Sequence, residues 1–144
     1  MNSNSEMLNY IHQNAQMGQD TIDQILGIVE DERFKCMLDG QYKEYKDIFN
    51  EAEEILNKSG KESKEVNKLQ QIEAYMMIKL NTLTNKSPDH ISEMLMRGSV
   101  MGIAEITRRL KKYKNDVRED VYALGEKLLR TEERNLQECK SFIG

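Results

Sequence analysis

Residues 32–57, ERFKCMLDGQYKEYKDIFNEAEEILN, decide the fold class. Phe34, Leu38, Gln41, Tyr45, Ile48, Ala52 and Ile55 follow one another at alternating spacings of four and three residues. That rhythm lays one stripe along an α-helix, whereas a strand would alternate every second residue. The same rhythm runs upstream through Leu8, Ile11, Ala15, Gly18, Ile22, Ile25 and Val29. It returns near the C-terminus through Val117, Val121, Leu124, Leu128, Thr131, Asn135 and Phe142. A helix with one apolar stripe needs partner helices to cover it, so the chain reads as an all-α antiparallel bundle.

Breaks in the pattern set the boundaries. Ser3 with Glu6 reads as a capping box opening a first helix over 4–30. The polar stretch Glu30–Arg33 leaves room only for a tight reversal into a second helix over 32–57. Lys58-Ser59-Gly60-Lys61 has loop composition. Leu69, Ile72, Met76, Leu80 and Leu83 then mark a shorter helix over 63–84. Ser87 reads as an N-cap and Pro88 as the first residue of a helix over 88–113. Asp116 with Glu119 suggests a second capping box, opening a final helix over 116–142. The order is two helical hairpins joined by one connection. Residues 62–84, as a helix, would span about 34 Å, enough to cross the length of a bundle.

Composition narrows the function classes. The 144 residues fit a single domain over 1–144, with 32% charged and 38% apolar residues. A net charge of −4 argues against a dedicated nucleic-acid binder. No apolar run approaches the roughly 20 residues of a transmembrane helix, and MNSNSEMLNY lacks the features of a secretory signal. Cys36 and Cys139 match no zinc-ligand spacing, and a cytoplasmic location with reduced thiols is expected. Neither a nucleophile elbow nor a phosphate loop is present, so the chain reads as non-catalytic.

Two antiparallel pairs joined by one long crossover resemble the ferritin-like plan. On helix order and length, the whole chain is identified as similar to a small bacterial member of the ferritin-like superfamily. The resemblance implies a two-metal carboxylate site built from a carboxylate on each of two helices and Glu-x-x-His on the other two. Here Gln41-x-x-Glu44 and Glu132-x-x-Asn135 carry no histidine at the final position, so the ligand positions are degenerate. The two histidines, His12 and His90, lie elsewhere. Glu105 falls about 10 Å from the level of Gln41 and Asn135 along the bundle. Asp20, Glu44, Glu105 and Glu132 are the candidate ligands for a divalent metal ion. Gln41, Thr131 and Asn135, at polar positions on the seams, are read as a buried polar layer with Gln41 near Asn135. No cofactor is expected. The leading function is a binding or structural-interaction protein. The alternatives are a divergent carboxylate-rich metal-binding protein or oxidase, and a spore-coat or envelope-associated component.

Gly98-x-x-x-Gly102 with Gly18 points to close approach between the helices over 4–30 and 88–113, in preference to room for a ligand. The methionines read as core filler. Arg108, Arg109, Lys111, Lys112, Lys114 and Arg118 read as solvated cations about a helix C-terminus. Apolar residues off the stripes (Met7, Phe49, Leu56, Met77, Met96, Leu129 and Ile143) suggest a homodimer, with Met77 and Phe49 as anchors. A further protein partner would use the same kind of surface.

Overall fold

A computed structural model describes residues 2–59 and 67–144. They form five helices and, among the described residues, no strand: α1 (Ser3–Leu26), α2 (Glu32–Lys58), α3 (Asn67–Asn81), α4 (Pro88–Tyr113) and α5 (Glu119–Lys140). The stripes face inward as their spacing requires. Phe34, Leu38, Gln41, Tyr45, Ile48 and Ala52 are all buried on α2, and Val121, Leu124, Leu128, Thr131 and Asn135 on α5. Each large apolar side chain fully buried in this way contributes about 1.5–3 kcal/mol.

The closest helix pairs are α1 with α2 and α4 with α5, each joined by a short turn. Polar and aromatic contacts orient the rest. The Arg118 backbone N–H donates to Asn4 Oδ1 at 2.8 Å, bringing the start of α5 to the start of α1. The Tyr113 hydroxyl at the end of α4 donates to Glu6 at the same end of the bundle. At the other end, the rings of Phe34 and Phe142 meet edge to face at 5.1 Å, and the Gly144 N–H donates to Asp89 Oδ2 at 3.2 Å. Thus α1 and α5 run one way and α2 and α4 the other. The helix α3 packs against both α1 and α4.

Helix ends differ from the sequence expectation in several places, α3 ending at Asn81 and α5 at Lys140 short of the expected 84 and 142. The first helix stops at Leu26, because Gly27 and Ile28 already make turn bonds to Gln24 and Ile25. Its N-cap is Asn2, whose side chain accepts from the Asn4 N–H, and Ser3 is already helical. Glu6 is instead taken up by Tyr113. The last helix begins at Glu119, where Arg118 is an N-cap without a side-chain cap. The shorter helix is described over 67–81; residues 63–66 of the expected span lie outside the described residues. Ser87 caps α4 as expected, accepting from the His90 N–H at 3.2 Å.

The buried face of α1 is wider than its stripe, since Met7, Tyr10, His12 and Asn14 are buried beside Leu8, Ile11 and Ala15. The cause is position: α1 packs against α2, α3, α4 and α5. Met7 and Leu56, read as off-stripe residues, are therefore part of the core. Phe49 stacks on His12 with ring centroids 4.2 Å apart, and Met77 accepts from Gln24 Nε2 at 3.5 Å. Both are half-buried within the chain. Among the described residues, the exposed large hydrophobics are Ile78, Val100 and Ile143. No described helix is long and apolar enough to cross a membrane.

Candidate functional site

Halfway along the bundle the interior turns polar. On α5 the residues Leu128, Thr131, Glu132, Asn135 and Cys139 share the inward face, so a carboxylate enters the core one position beyond the Thr131 seam residue. Glu132 is only 4% exposed. Its Oε1 accepts from the Tyr45 hydroxyl of α2 at 2.7 Å, and the Ser99 hydroxyl of α4 also hydrogen-bonds to it. Among the described residues no Lys, Arg or His pairs with Glu132, so its charge has no counter-ion.

Glycines make this arrangement possible. The Tyr45 ring lies flush on α1 at Gly18, where an added Cβ would stand 2.7 Å from the ring. Across the core, a Cβ at Gly102 would lie 3.7 Å from the Glu132 carboxyl carbon and 3.8 Å from Asn14 Nδ2. Asn14 itself is 1% exposed. It donates through Nδ2 to the Tyr10 hydroxyl at 3.2 Å, while its Oδ1 is buried without a hydrogen-bond partner. Such an orphaned acceptor is uncommon in a folded interior.

A partly open cavity of about 50 Å³ adjoins these groups. Asn14, Gln41, Tyr45, Ser99 and Glu132 give it a polar floor, and Ile22, Leu95, Ile72 and Met76 supply apolar walls. The last two come from α3, whose Met76 sulfur would sit 3.0 Å from a Cβ at Gly98. All five helices therefore contribute to one chamber. Its volume exceeds the 10–15 Å³ or so that a single water requires. Gly18 and Gly98 thus serve close packing of Tyr45 onto α1 and of Met76 onto α4, where the sequence suggested direct approach of the two helices, and with Gly102 they line the chamber.

Burial dominates the electrostatics. It raises the Glu132 carboxyl from 4.5 to about 7, with the hydrogen bonds from Tyr45 and Ser99 opposing the shift. The Tyr45 hydroxyl is pushed well above its ordinary value by burial and by the adjacent Glu132 charge, with Asn135 beside it offsetting this in part. Burial likewise raises Tyr10, and pushes the Cys139 thiol up to about 11. The chamber therefore holds a carboxyl that gains and loses its proton near neutrality, among hydroxyls that stay protonated.

The four candidate metal ligands lie in different settings. Asp20 is exposed and accepts from Gln16 Nε2 on its own helix at 3.0 Å. Glu44 pairs with Arg134 at 2.8 Å, and Glu105 with Arg109 at 3.2 Å and Arg108 at 3.3 Å. Of the four, Glu132 alone lines the chamber. Among the described residues no group of three or more His, Cys, Asp or Glu side chains is placed to hold a metal ion. The three polar seam residues are all buried, Gln41 at 3% and Thr131 and Asn135 at 1% exposure. Gln41 donates to Glu138 Oε1 at 3.1 Å and to Cys139 Sγ at 3.9 Å. Asn135 adjoins Tyr45, and its amide makes no hydrogen bond of ordinary geometry.

Sequence reasoning missed Asn14, Ser99 and Tyr10. A faint signal existed: Tyr10 and Asn14 are four apart, hence on one helix face, and Ser99 lies within the Gly98–Gly102 stretch. Arg109 was read as solvated, yet its guanidinium lies 4.4 Å from the centre of the Tyr10 ring. Cys36 and Cys139 are free, the first exposed and the second buried. No protein-family model matches the chain, and no curated protein or solved structure is similar enough to it to count as a match.

Proposed function

We propose that this chain is a non-catalytic, ferritin-like bundle that binds a small ligand in its interior. The observation that carries the reading is the mid-bundle chamber, where a buried carboxylate without a counter-ion (Glu132) and the buried Asn14 side chain line a space beside Gly18, Gly98 and Gly102. A buried carboxylate without a counter-ion is costly, and a scaffold that binds nothing gains little from keeping one beside a cavity. The ferritin-like part draws support from helix directions: α1 and α5 run one way, α2 and α4 the other, and α3 lies between the two hairpins in chain order. Glu44 and Glu105 are neutralised by arginines, which favours a binding role over a di-metal oxidase. The cytoplasmic setting belongs to the same proposal.

The test is a fragment titration of tag-free protein followed by amide NMR shifts. Saturable shifts grouped at Asn14, Ser99, Gly102 and Glu132 are expected. A library of amines, alcohols and acids that leaves those signals unmoved would sink the reading. So would stoichiometric iron or manganese in protein purified without chelator.

A further inference from the structure

We propose that the outer face of α4 is a self-association surface, on which two copies of this chain pair through their α4 helices, antiparallel, about a two-fold axis at Val100. The surface lies outside the bundle, and the pairing holds whether or not the chamber is occupied.

The helix α4 packs against α5, α3 and α1, with Ile91, Leu95, Ile106 and Leu110 buried on its inward face. The opposite face carries a second stripe. Asp89, Glu93, Met96, Val100, Ala104 and Lys111 stand at helical spacings along it. Met96 and Ala104 are half-buried, and the other four are exposed. Val100 is 54% exposed, one of three exposed large hydrophobics among the described residues. A lone exposed valine is ordinary; this one gains meaning from the charges arranged about it. The anchors expected from the sequence are already engaged within the chain, Met77 by Gln24 and Phe49 by His12.

The stripe is acidic at one end and basic at the other. Asp89 and Lys111 lie eleven residues before and after Val100, about 16 Å along the helix axis in each direction. Met96 and Ala104 lie four residues to either side. A two-fold axis at Val100 therefore sets Asp89 of one copy against Lys111 of the other, and Met96 against Ala104. Glu93 comes close to Arg108 and Lys111 of the second copy, and the two Val100 side chains meet at the centre. In parallel pairing Asp89, Glu93 and Lys111 would each face its own like charge. Antiparallel pairing also opposes the two helix dipoles favourably. A stripe that is its own complement under a two-fold is what an isologous dimer requires, so a second copy is the occupant that fits.

The charged groups are available for this. Among the described residues the ion-paired lysines are Lys35, Lys43, Lys58 and Lys127, so Lys111 has no carboxylate partner there. Glu93 holds Arg97 through Oε1 at 2.8 Å, which leaves its second oxygen. Asp89 accepts from the Gly144 N–H through Oδ2, which leaves Oδ1. Charges at the rim of an interface set orientation and register more than affinity. With one helix from each copy the interface is at the small end of the range, so the dimer should be weak and reversible.

Sedimentation equilibrium of the full chain, from about 5 to about 500 µM in about 0.05 M and about 0.5 M NaCl, reads the association directly. The mass is expected to rise from 16.8 kDa toward twice that value, with the dimer about tenfold weaker at the higher salt. Val100→Asp sets two carboxylates against each other on the axis and should weaken the dimer about tenfold or more, while circular dichroism matches wild type. Glu93→Lys and Lys111→Glu should each weaken it about fivefold, and the chain carrying both should recover wild-type affinity, because antiparallel pairing brings position 93 of one copy to position 111 of the other. A mass of 16.8 kDa at every concentration, or full dimer affinity in Val100→Asp, overturns the proposal. A doubly exchanged chain as weak as the single variants, or a dimer indifferent to salt, overturns the antiparallel register.

Discussion

Gly18 and Gly102 line two walls of the same chamber, and their surroundings are opposite. At Gly18 an aromatic ring already occupies the space a side chain would need, at 2.7 Å. At Gly102 the nearest atoms stand off at 3.7–3.8 Å, an ordinary contact distance. On α1, then, glycine lets Tyr45 press inward and reach Glu132. On α4, glycine leaves a space unfilled beside two polar groups. Glycine in a helix interior costs about 1 kcal/mol relative to alanine. At Gly18 that cost is offset by packing; at Gly102 no packing within the chain offsets it. The contrast teaches that the polar floor is tightly supported on one side and open to an occupant on the other.

The largest expected effect tests whether that floor is as dry as the tight wall implies. Glu132 has its pKa raised in the folded state, from 4.5 to about 7. An acid raised in this way binds more protons folded than unfolded. Its stabilising contribution is complete below pH 4.5 and is lost as pH rises to about 7. The loss amounts to roughly 3 kcal/mol over that window. Urea unfolding of wild type and Glu132→Gln at pH 4.5 and pH 8 isolates it, since the variant cannot titrate. Glu132→Gln should gain on wild type by most of that amount as pH rises. Tyr45→Phe removes a donor to the carboxylate and should carry the window above pH 7. A constant wild-type-to-variant difference across pH would mean that water reaches Glu132 freely.

Next in size is Gly18→Ala. The substitution improves helix propensity by about 1 kcal/mol, but it drives a methyl into a rigid ring, and overpacking of this kind costs about 1–3 kcal/mol. Turning the ring away would also break the 2.7 Å bond to Glu132. A net destabilisation of about 2 kcal/mol is expected, read as a lower urea midpoint at unchanged slope. Neutral or improved stability would show that Tyr45 has room to move, and the two walls would then be alike.

How much of this contrast could be read in the sequence follows from periodicity. All five helices and the inward stripes were legible, because burial of α2 and α5 repeats every three or four residues from Phe34 to Ala52 and from Val121 to Asn135. Ends governed by tertiary partners were not. Glu6 looked like half of a capping box but bonds Tyr113, 107 residues away. The burial of Gln41, Thr131 and Asn135 follows from their places on the stripes. The chamber was harder, since it depends on which residues of α1 and α4 face each other, and Asn14 and Ser99 lie beside the stripes. Gly18, Gly98 and Gly102 were equally visible, but only packing separates Gly18 from Gly102.

Gly102→Ala is the third test, with an effect of opposite sign. Its methyl meets only ordinary contacts, so the propensity gain should survive as about 0.5–1 kcal/mol of added stability. Thermal unfolding of the ligand-free protein checks it. A loss of stability would imply that the space beside Glu132 is already in use within the fold, for instance by a tightly held water.

The smallest effect belongs to a carboxylate outside the chamber. Glu44 and Glu132 both read as candidate ligands, yet Glu44 is tied to Arg134 at 2.8 Å on a side chain 33% exposed, and the arginine is 59% exposed. Coulomb attraction there is weakened by water and offset by the entropy of holding two long side chains, so such pairs contribute about 0.2–1 kcal/mol. Arg134 also reaches the Thr131 hydroxyl at 3.5 Å, too long to add much. Arg134→Ala should therefore cost about 0.5 kcal/mol in low salt, and the difference from wild type should shrink in 1 M NaCl as screening removes what the pair supplies. Paired denaturant melts at the two salt concentrations measure it. A loss of several kcal/mol that persists in salt would mean that Glu44 is held in a water-excluded setting like that of Glu132. The polar interior would then extend through the α2–α5 interface instead of ending at the chamber.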